Sequence, residues 1–281
     1  AITEPGVLTN ESVAAPSSQG INDGIPSVNQ ETNPLSVLLD DSETFNLSTV
    51  ALDLVVSADG GDVVSASLPK FPVRLDTPNQ PFRLLENNNL RRYVAQSGLI
   101  GPDGIDASGN RSRYASQGVI DNGDGSHTLT LAWMGNDPLG MQVYKRFTAH
   151  DDRYDVNVSF DIRNDGSSIA SVTSFAQLKR DNTQAPDGNT GFGVSPYLGA
   201  ALTQPDERYT KLSFSDLNDE PFSKRLPAGW VAILQHYFVS AWIPSQQASH
   251  DYFASQLSNG DNVIGYKNQP VDIAPGSATT I

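Results

Sequence analysis

Residues 229 to 244, GWVAILQHYFVSAWIP, contain no Asp, Glu, Lys or Arg, in a chain of 281 residues whose formal charge is −14. Such a stretch can cross a membrane, line a core, or lie on a surface that something else covers. A spanning helix needs about 20 consecutive apolar residues, whereas Gly229 and Pro244 bracket 14 here, interrupted by Gln235, His236 and Ser240. The β-branched and aromatic side chains of Trp230, Val231, Ile233, Tyr237, Phe238, Val239, Trp242 and Ile243 suit a pleated sheet instead. Alternation places Trp230, Leu234, Phe238 and Trp242 on one face and Val231, Ile233, Tyr237, Val239 and Ile243 on the other. With both faces apolar, the stretch reads as interior: one long central strand, or two strands with a bend near Gln235 and His236.

The rest of the chain from Phe45 onward repeats short runs of alternating polarity between turn residues, the pattern of an all-β sandwich or barrel, and helical periodicity is scarce. The clearest run is RYDVNVSFDIRN, with Tyr154, Val156, Val158, Phe160 and Ile162 pointing one way and Asp155, Asn157, Ser159, Asp161 and Arg163 the other. One face belongs to a core and one to water. GMQVYKRFTAH precedes it across HDDR, and NDGSS turns the chain into SIASVTSFAQLK, which predicts an antiparallel meander of about three strands. DNGDG at 121 to 125 predicts a hairpin between QGVI and HTLTLAW, its Asn and Gly supplying positive φ.

Residues 1 to 44 carry seven carboxylates and neither Lys nor Arg among Ser, Asn, Thr, Pro and Gly, which predicts a disordered tether ahead of a folded domain over 45–281. Removing those seven from 32 acids leaves 25 against 18 basic residues, so the domain is only mildly acidic at −7. That balance argues against nucleic acid and anionic lipid surfaces as direct partners, because both require cations to meet phosphates. The absence of cysteine excludes a disulfide framework and thiolate metal ligands. No apolar stretch reaches signal-peptide or transmembrane length, so any targeting element is expected outside this sequence.

The candidate chemistry dissolves on inspection. DNGDG fails as a calcium loop, since Ser126 and Ala132 stand where the sixth-position Gly and twelfth-position carboxylate belong. GFGVSP at 191 to 196 replaces the third glycine of a dinucleotide fingerprint with Pro196 and lacks a βαβ context. His127, His150, His236 and His250 form no metal-ligand spacing. His127 and His150 sit beside turns, while His236, inside the apolar stretch, reads as a hydrogen-bonded core or bend residue without a carboxylate to tune it. Asp206 and Glu207 are adjacent, so on a strand they would face opposite ways, and Pro205 marks a turn. No GxSxG supports a serine nucleophile. The residues thus assign no catalytic, cofactor-binding or metal site.

Seven phrases in order, GGDVVSASLPKFP, QPFRLLE, YVAQSGLIGPDG, FAQLKR, GAALTQPDERYTKLSF, GWVAILQHYFVSAWIP and VIGYKNQPVDIAPG, resemble the large periplasmic domain of the YidC membrane protein insertases of Gram-negative bacteria. The resemblance runs from about Leu47 to Gly276. It implies a β-supersandwich like the galactose mutarotase-like folds, on the periplasmic face of the inner membrane between the first two transmembrane helices. It also implies that insertion chemistry lies in membrane helices outside this sequence, and that 1–44 is the variable linker after the first helix. The end at SATTI falls before the last strand and helical segment expected of the family. Association with the Sec translocon SecYEG and its SecD and SecF accessories, and with nascent membrane proteins, follows at family level, without contact residues. A carbohydrate-binding or aldose epimerase-like protein is the alternative, resting on fold analogy alone, and binding of extended segments in a groove or along a sheet edge is a third reading.

Overall fold

The computed structural model describes residues 43–107, 109–135, 140–183, 197–235 and 237–281. The expectations for residues 1–42 of the tether, for GFGVSP and for His236 fall outside these residues. The described residues form nineteen strands and no helix, so no helix among them could cross a membrane. The first leg, β1 (Thr44–Ser48), β2 (Asp53–Ser57), β3 (Val63–Pro72), β4 (Pro81–Asn87) and β5 (Arg92–Ile100), builds one sheet. The second, β6 (Tyr114–Asp121), β7 (Ser126–Trp133), β8 (Met141–His150) and β9 (Val156–Asn164), builds another. β10 (Ala170–Arg180) then crosses back to pair with β5. β11 (Leu198–Leu202), β12 (Thr210–Leu212), β13 (Phe222–Pro227), β14 (Val231–Gln235) and β15 (Phe238–Trp242) follow. The chain closes with β16 (Ser249–Gln256), β17 (Asn262–Lys267), β18 (Val271–Ile273) and β19 (Ala278–Thr280).

Three antiparallel sheets result. Ten strands run in the order β1-β2-β3-β4-β5-β10-β17-β16-β13, with β18 also on β10; four run β12-β11-β14-β15; five run β19-β9-β8-β7-β6. The smaller sheets share a core with the large one. Leu99 and Val172 of the large sheet cluster with Met141, Val143, Phe160 and Ile162 of the five-stranded sheet. Tyr93 and Leu178 belong to a second cluster that reaches Ala200, Leu202, Val231 and Ile233 of the four-stranded sheet. This is the all-β, mostly antiparallel supersandwich that the resemblance implied.

The alternating run behaves as its pattern requires. On β9, Phe160 and Ile162 are buried and Asn157 and Arg163 exposed, with Val156 and Val158 half-buried. Tyr154 stands before the strand, exposed, against Phe71. The predicted three-strand meander is corrected at its third member: β8 pairs with β9, but SIASVTSFAQLK lies in the large sheet, and β9 takes β19 as its other neighbour. β10 is buried along nearly its whole length. A strand covered on both faces fits the middle of a large sheet, whereas the half-wet β9 fits a smaller outer one. DNGDG does join β6 to β7. Its positive φ comes from Gly123 and Gly125, each at 80°, and not from Asn122; the one non-glycine residue with positive φ among those described is Ala228.

The opening stretch forms two strands, β14 and β15, bent between Gln235 and Phe238. Its interior assignment holds for only half of it. Val231, Ala232 and Ile233 are buried, but Tyr237 is 82% exposed, Val239 53% and Ile243 68%. The cause is position in the sheet: β14 lies between β11 and β15, whereas β15 is the last strand of its sheet.

Candidate docking surface on the four-stranded sheet

The polar residues are placed by the fold before any surface can be assigned a role. Both smaller sheets enclose charge. Lys145 on β8 is fully buried, and its ammonium donates to the carbonyls of Gly60 at 3.0 Å and Ser97 at 2.8 Å. Burial pulls its pKa down to about 7, Asp62 opposing and Arg111 adding to the shift. Arg111 bridges Asp62 at 2.5 Å and Asp106 at 3.1 Å. Burial works against its charge, but Asp106 and Asp62 outweigh it and hold the pKa above the ordinary arginine value. Asp106 also accepts from the backbone amides of Leu99 and Ser112, at 2.9 and 3.0 Å. From Asp62 the chain of contacts continues through Gln96 to Gln177, at 2.8 and 2.9 Å.

A second buried group lies under the four-stranded sheet. Gln235 Oε1 accepts from both Arg91 and Arg180, whose guanidinium carbons sit 5.8 and 4.7 Å from the centre of the Tyr93 ring. Burial draws Arg180 down to about 10 and pushes the Tyr93 hydroxyl up to about 12. Neither group opens onto a described cleft. Both are interior networks that tie sheets together, with Arg91 Nε, Tyr93 Oη, Arg180 Nε, Gln235 Nε2 and Gln177 Oε1 left without a hydrogen-bond partner among the described residues.

The residues weighed from sequence stay apart from one another. Asp121 and Asp124 cap their own turn, accepting from the amides of Gly123 at 2.8 Å and Ser126 at 3.0 Å. Glu207 accepts from Thr210 at 2.8 Å in the exposed turn after Pro205, with Asp206 beside it. His127 faces Asp151 at 3.4 Å, and His150 ends β8. The buried imidazole that can be located is His250, whose ring nitrogens lie 2.7 Å from Asn268 Oδ1 and 2.8 Å from the Ser245 carbonyl. No group of three His, Cys, Asp or Glu able to hold a metal occurs among the described residues.

On the outer face of the four-stranded sheet, Tyr197, Tyr209, Lys211, Leu234, Tyr237, Phe238 and Val239 line an open groove of about 290 Å³. The ammonium of Lys211 lies 4.6 Å from the Tyr197 ring centre and 5.7 Å from that of Tyr209. Tyr209 in turn meets Trp230 at 6.2 Å. At the hairpin end, Phe238 stacks on Phe82 at 4.1 Å and meets Phe71 at 6.0 Å, so a run of aromatic rings continues past the sheet. Sequence reading found Trp230, Tyr237 and Val239 but placed them inside. Tyr197, Tyr209 and Lys211 carried no local signal, because pairing of β12, β11 and β14 is what brings them to one face.

A three-sheet antiparallel supersandwich of this kind has the galactose mutarotase-like β-fold. A galactose mutarotase-like protein from Lactobacillus casei superposes with a TM-score of 0.52 at 9% identity, covering 85% of this chain and 98% of that one. The GH36 α-galactosidase AgaA from Geobacillus stearothermophilus gives the same score and identity over 85% of this chain and 39% of its own. These likenesses concern the fold. In sequence, the YidC periplasmic domain family matches residues 44–281, and the chain belongs to that family. A membrane protein insertase YidC of Pseudomonas putida strain F1 is 38% identical over 92% of this chain and 47% of its own length. That of Marinomonas sp. strain MWYL1 is 36% identical over 99% of this chain and 52% of its own. The chain thus spans about half the length of these relatives. Membership places the domain at the periplasmic face of the inner membrane.

Proposed function

We propose that this domain is a non-catalytic interaction module of a membrane protein insertase and chaperone, which integrates and folds inner-membrane proteins. Its partners in this reading are nascent membrane proteins and the Sec components SecD, SecF and SecYEG. The acidic stretch ahead of β1, expected from sequence over 1–44 although Thr44 already pairs with Ser57, serves as a periplasmic linker. The observation that carries the reading is the exposed apolar face of Tyr237, Val239 and Ile243, in a family defined by insertase periplasmic domains. A photoreactive amino acid at position 237 or 243 of the full-length protein, in membranes making a nascent membrane protein, tests it. Adducts to that protein or to a Sec component, absent when the probe replaces Arg163 on the wet face of β9, are the expected result. Equal yields from both faces would sink the reading. The tyrosine-lined groove also suits the carbohydrate-binding alternative, which requires saturable galactose binding that Tyr209→Ala abolishes.

A further inference from the structure

β15 differs from the other strands that end a sheet. β13 carries Lys224, Arg225 and Pro227, β6 has a register shift between Ser116 and Val119, β12 and β19 have three residues each, and β1 exposes Thr44, Asn46 and Ser48. The charges, the proline, the register shift and the short lengths are known ways of blunting an edge, and β1 presents polar side chains. β15 has none of them: it is five residues, FVSAW, without charge or proline. Two residues connect Gln235 to its partner Phe238, and a hairpin so closed has a hydrogen-bonded terminal pair with alternation beyond it. Val239 and Ala241 therefore turn their N–H and C=O groups away from β14.

The groove reaches this edge at Tyr237, Phe238 and Val239, whereas Lys211, held over two tyrosine rings, lies on β12 at the far side of the sheet. We infer that β15 binds an extended peptide segment by strand addition, an apolar side chain of the segment packing on Val239 at the mouth of the groove. The inference deepens the interaction reading above by naming the chemistry of the partner.

Size and charge select this occupant. A five-residue strand offers an edge of about 17 Å, and a groove of about 290 Å³ takes one or two side chains. A stable folded partner or second copy needs about 800 Å² from each side, more than one short edge supplies. Two copies of a chain with formal charge −14 also repel. A peptide strand gains backbone hydrogen bonds along the edge and specificity from its alternate side chains.

The probe is an acetylated, amidated hexapeptide of alternating threonine and valine, titrated into the full chain by calorimetry. Saturable binding is expected, weakened about tenfold or more by Val239→Lys or Ala241→Pro, a change of at least about 1.4 kcal/mol. N-methylation at alternate peptide positions should abolish binding without touching the protein, which keeps the test valid if Ala241→Pro does not fold. Absence of binding at millimolar peptide would overturn the inference, as would equal affinity for the N-methylated peptide. So would a dimer by light scattering that Ala241→Pro dissociates, because self-pairing would then occupy the edge. Peptide binding that survives while the photoreactive probe finds no nascent or Sec partner would remove the insertase-module reading and leave this one standing.

Discussion

Two regions of this domain break the rule of apolar inside and charged outside, in opposite directions. Between the sheets, Lys145, Arg111, Asp62 and Asp106 are enclosed; on the four-stranded sheet, Tyr237, Val239 and Ile243 face water. The enclosed charges have partners at hydrogen-bonding distance, so their placement is explained within the domain. Val239 and Ile243 have no such polar account. Apolar surface on a strand that ends its sheet among the described residues is the kind of feature that a partner explains. Internal pairing accounts for the first region, and the proposed docking role is what would account for the second.

The sharpest way to break this contrast is to remove a partner inside. Asp106→Ala strips Arg111 of one carboxylate and leaves two amides unpaired, and urea unfolding should show a loss of about 3 to 5 kcal/mol. A loss below 1 kcal/mol would mean that the cluster is hydrated and not enclosed. Next in size is Trp242→Ala, expected to cost about 2 to 3 kcal/mol, because the half-buried ring also donates to the Gln177 carbonyl at 3.0 Å. Trp230, tilted against Tyr209 on the outer face, should cost about 1 kcal/mol when cut to Ala. Equal losses for the two would return the whole stretch to the interior.

Lys145 sharpens the contrast through pH. Its folded pKa is depressed to about 7 from an ordinary value of 10.5, so between these values the unfolded chain binds the extra proton. Stability should therefore rise from pH 7 toward pH 10, with a slope approaching about 1.4 kcal/mol per pH unit from this group. Lys145→Met should flatten that rise. Above pH 10 the buried Tyr93, held near 12, reverses the sign, because the unfolded tyrosine ionises first. A wild-type curve that is flat or falling from pH 7 to 9.5, unchanged in the variant, would show that the amine keeps its charge. The smallest effect belongs outside: Val239→Thr should change stability by no more than about 0.5 kcal/mol.

Much of this was legible in the residues. The alternation of RYDVNVSFDIRN marked β9 and its buried face, and DNGDG marked the hairpin from β6 to β7. The order of seven phrases carried the family, which the match over 44–281 bears out. What local pattern could not carry was sheet order. SIASVTSFAQLK follows β9 in sequence yet pairs with β5 and β17, and nothing in twelve residues says which distant strands will cover both faces. GWVAILQHYFVSAWIP failed for the same reason. Its two halves are equally apolar, and the place of β15 at the end of its sheet among the described residues leaves one of them in water. The groove needed the pairings of β12, β11 and β14 before Tyr197, Tyr209 and Lys211 could share a face, and that of β14 with β15 before Val239 joined them.

Amide hydrogen exchange along the β14–β15 hairpin tests the central claim, that β15 is an open edge awaiting a strand. All the β14 amides lie between two partner strands and should exchange slowly, at rates set by sub-global or global opening. Val239 and Ala241 should exchange at nearly the rate of an unstructured peptide in the free domain, and slow by about tenfold or more when the hexapeptide saturates it. Protection of Val239 and Ala241 equal to that of Ile233 in the free domain would contradict the account, since the edge would then already be paired.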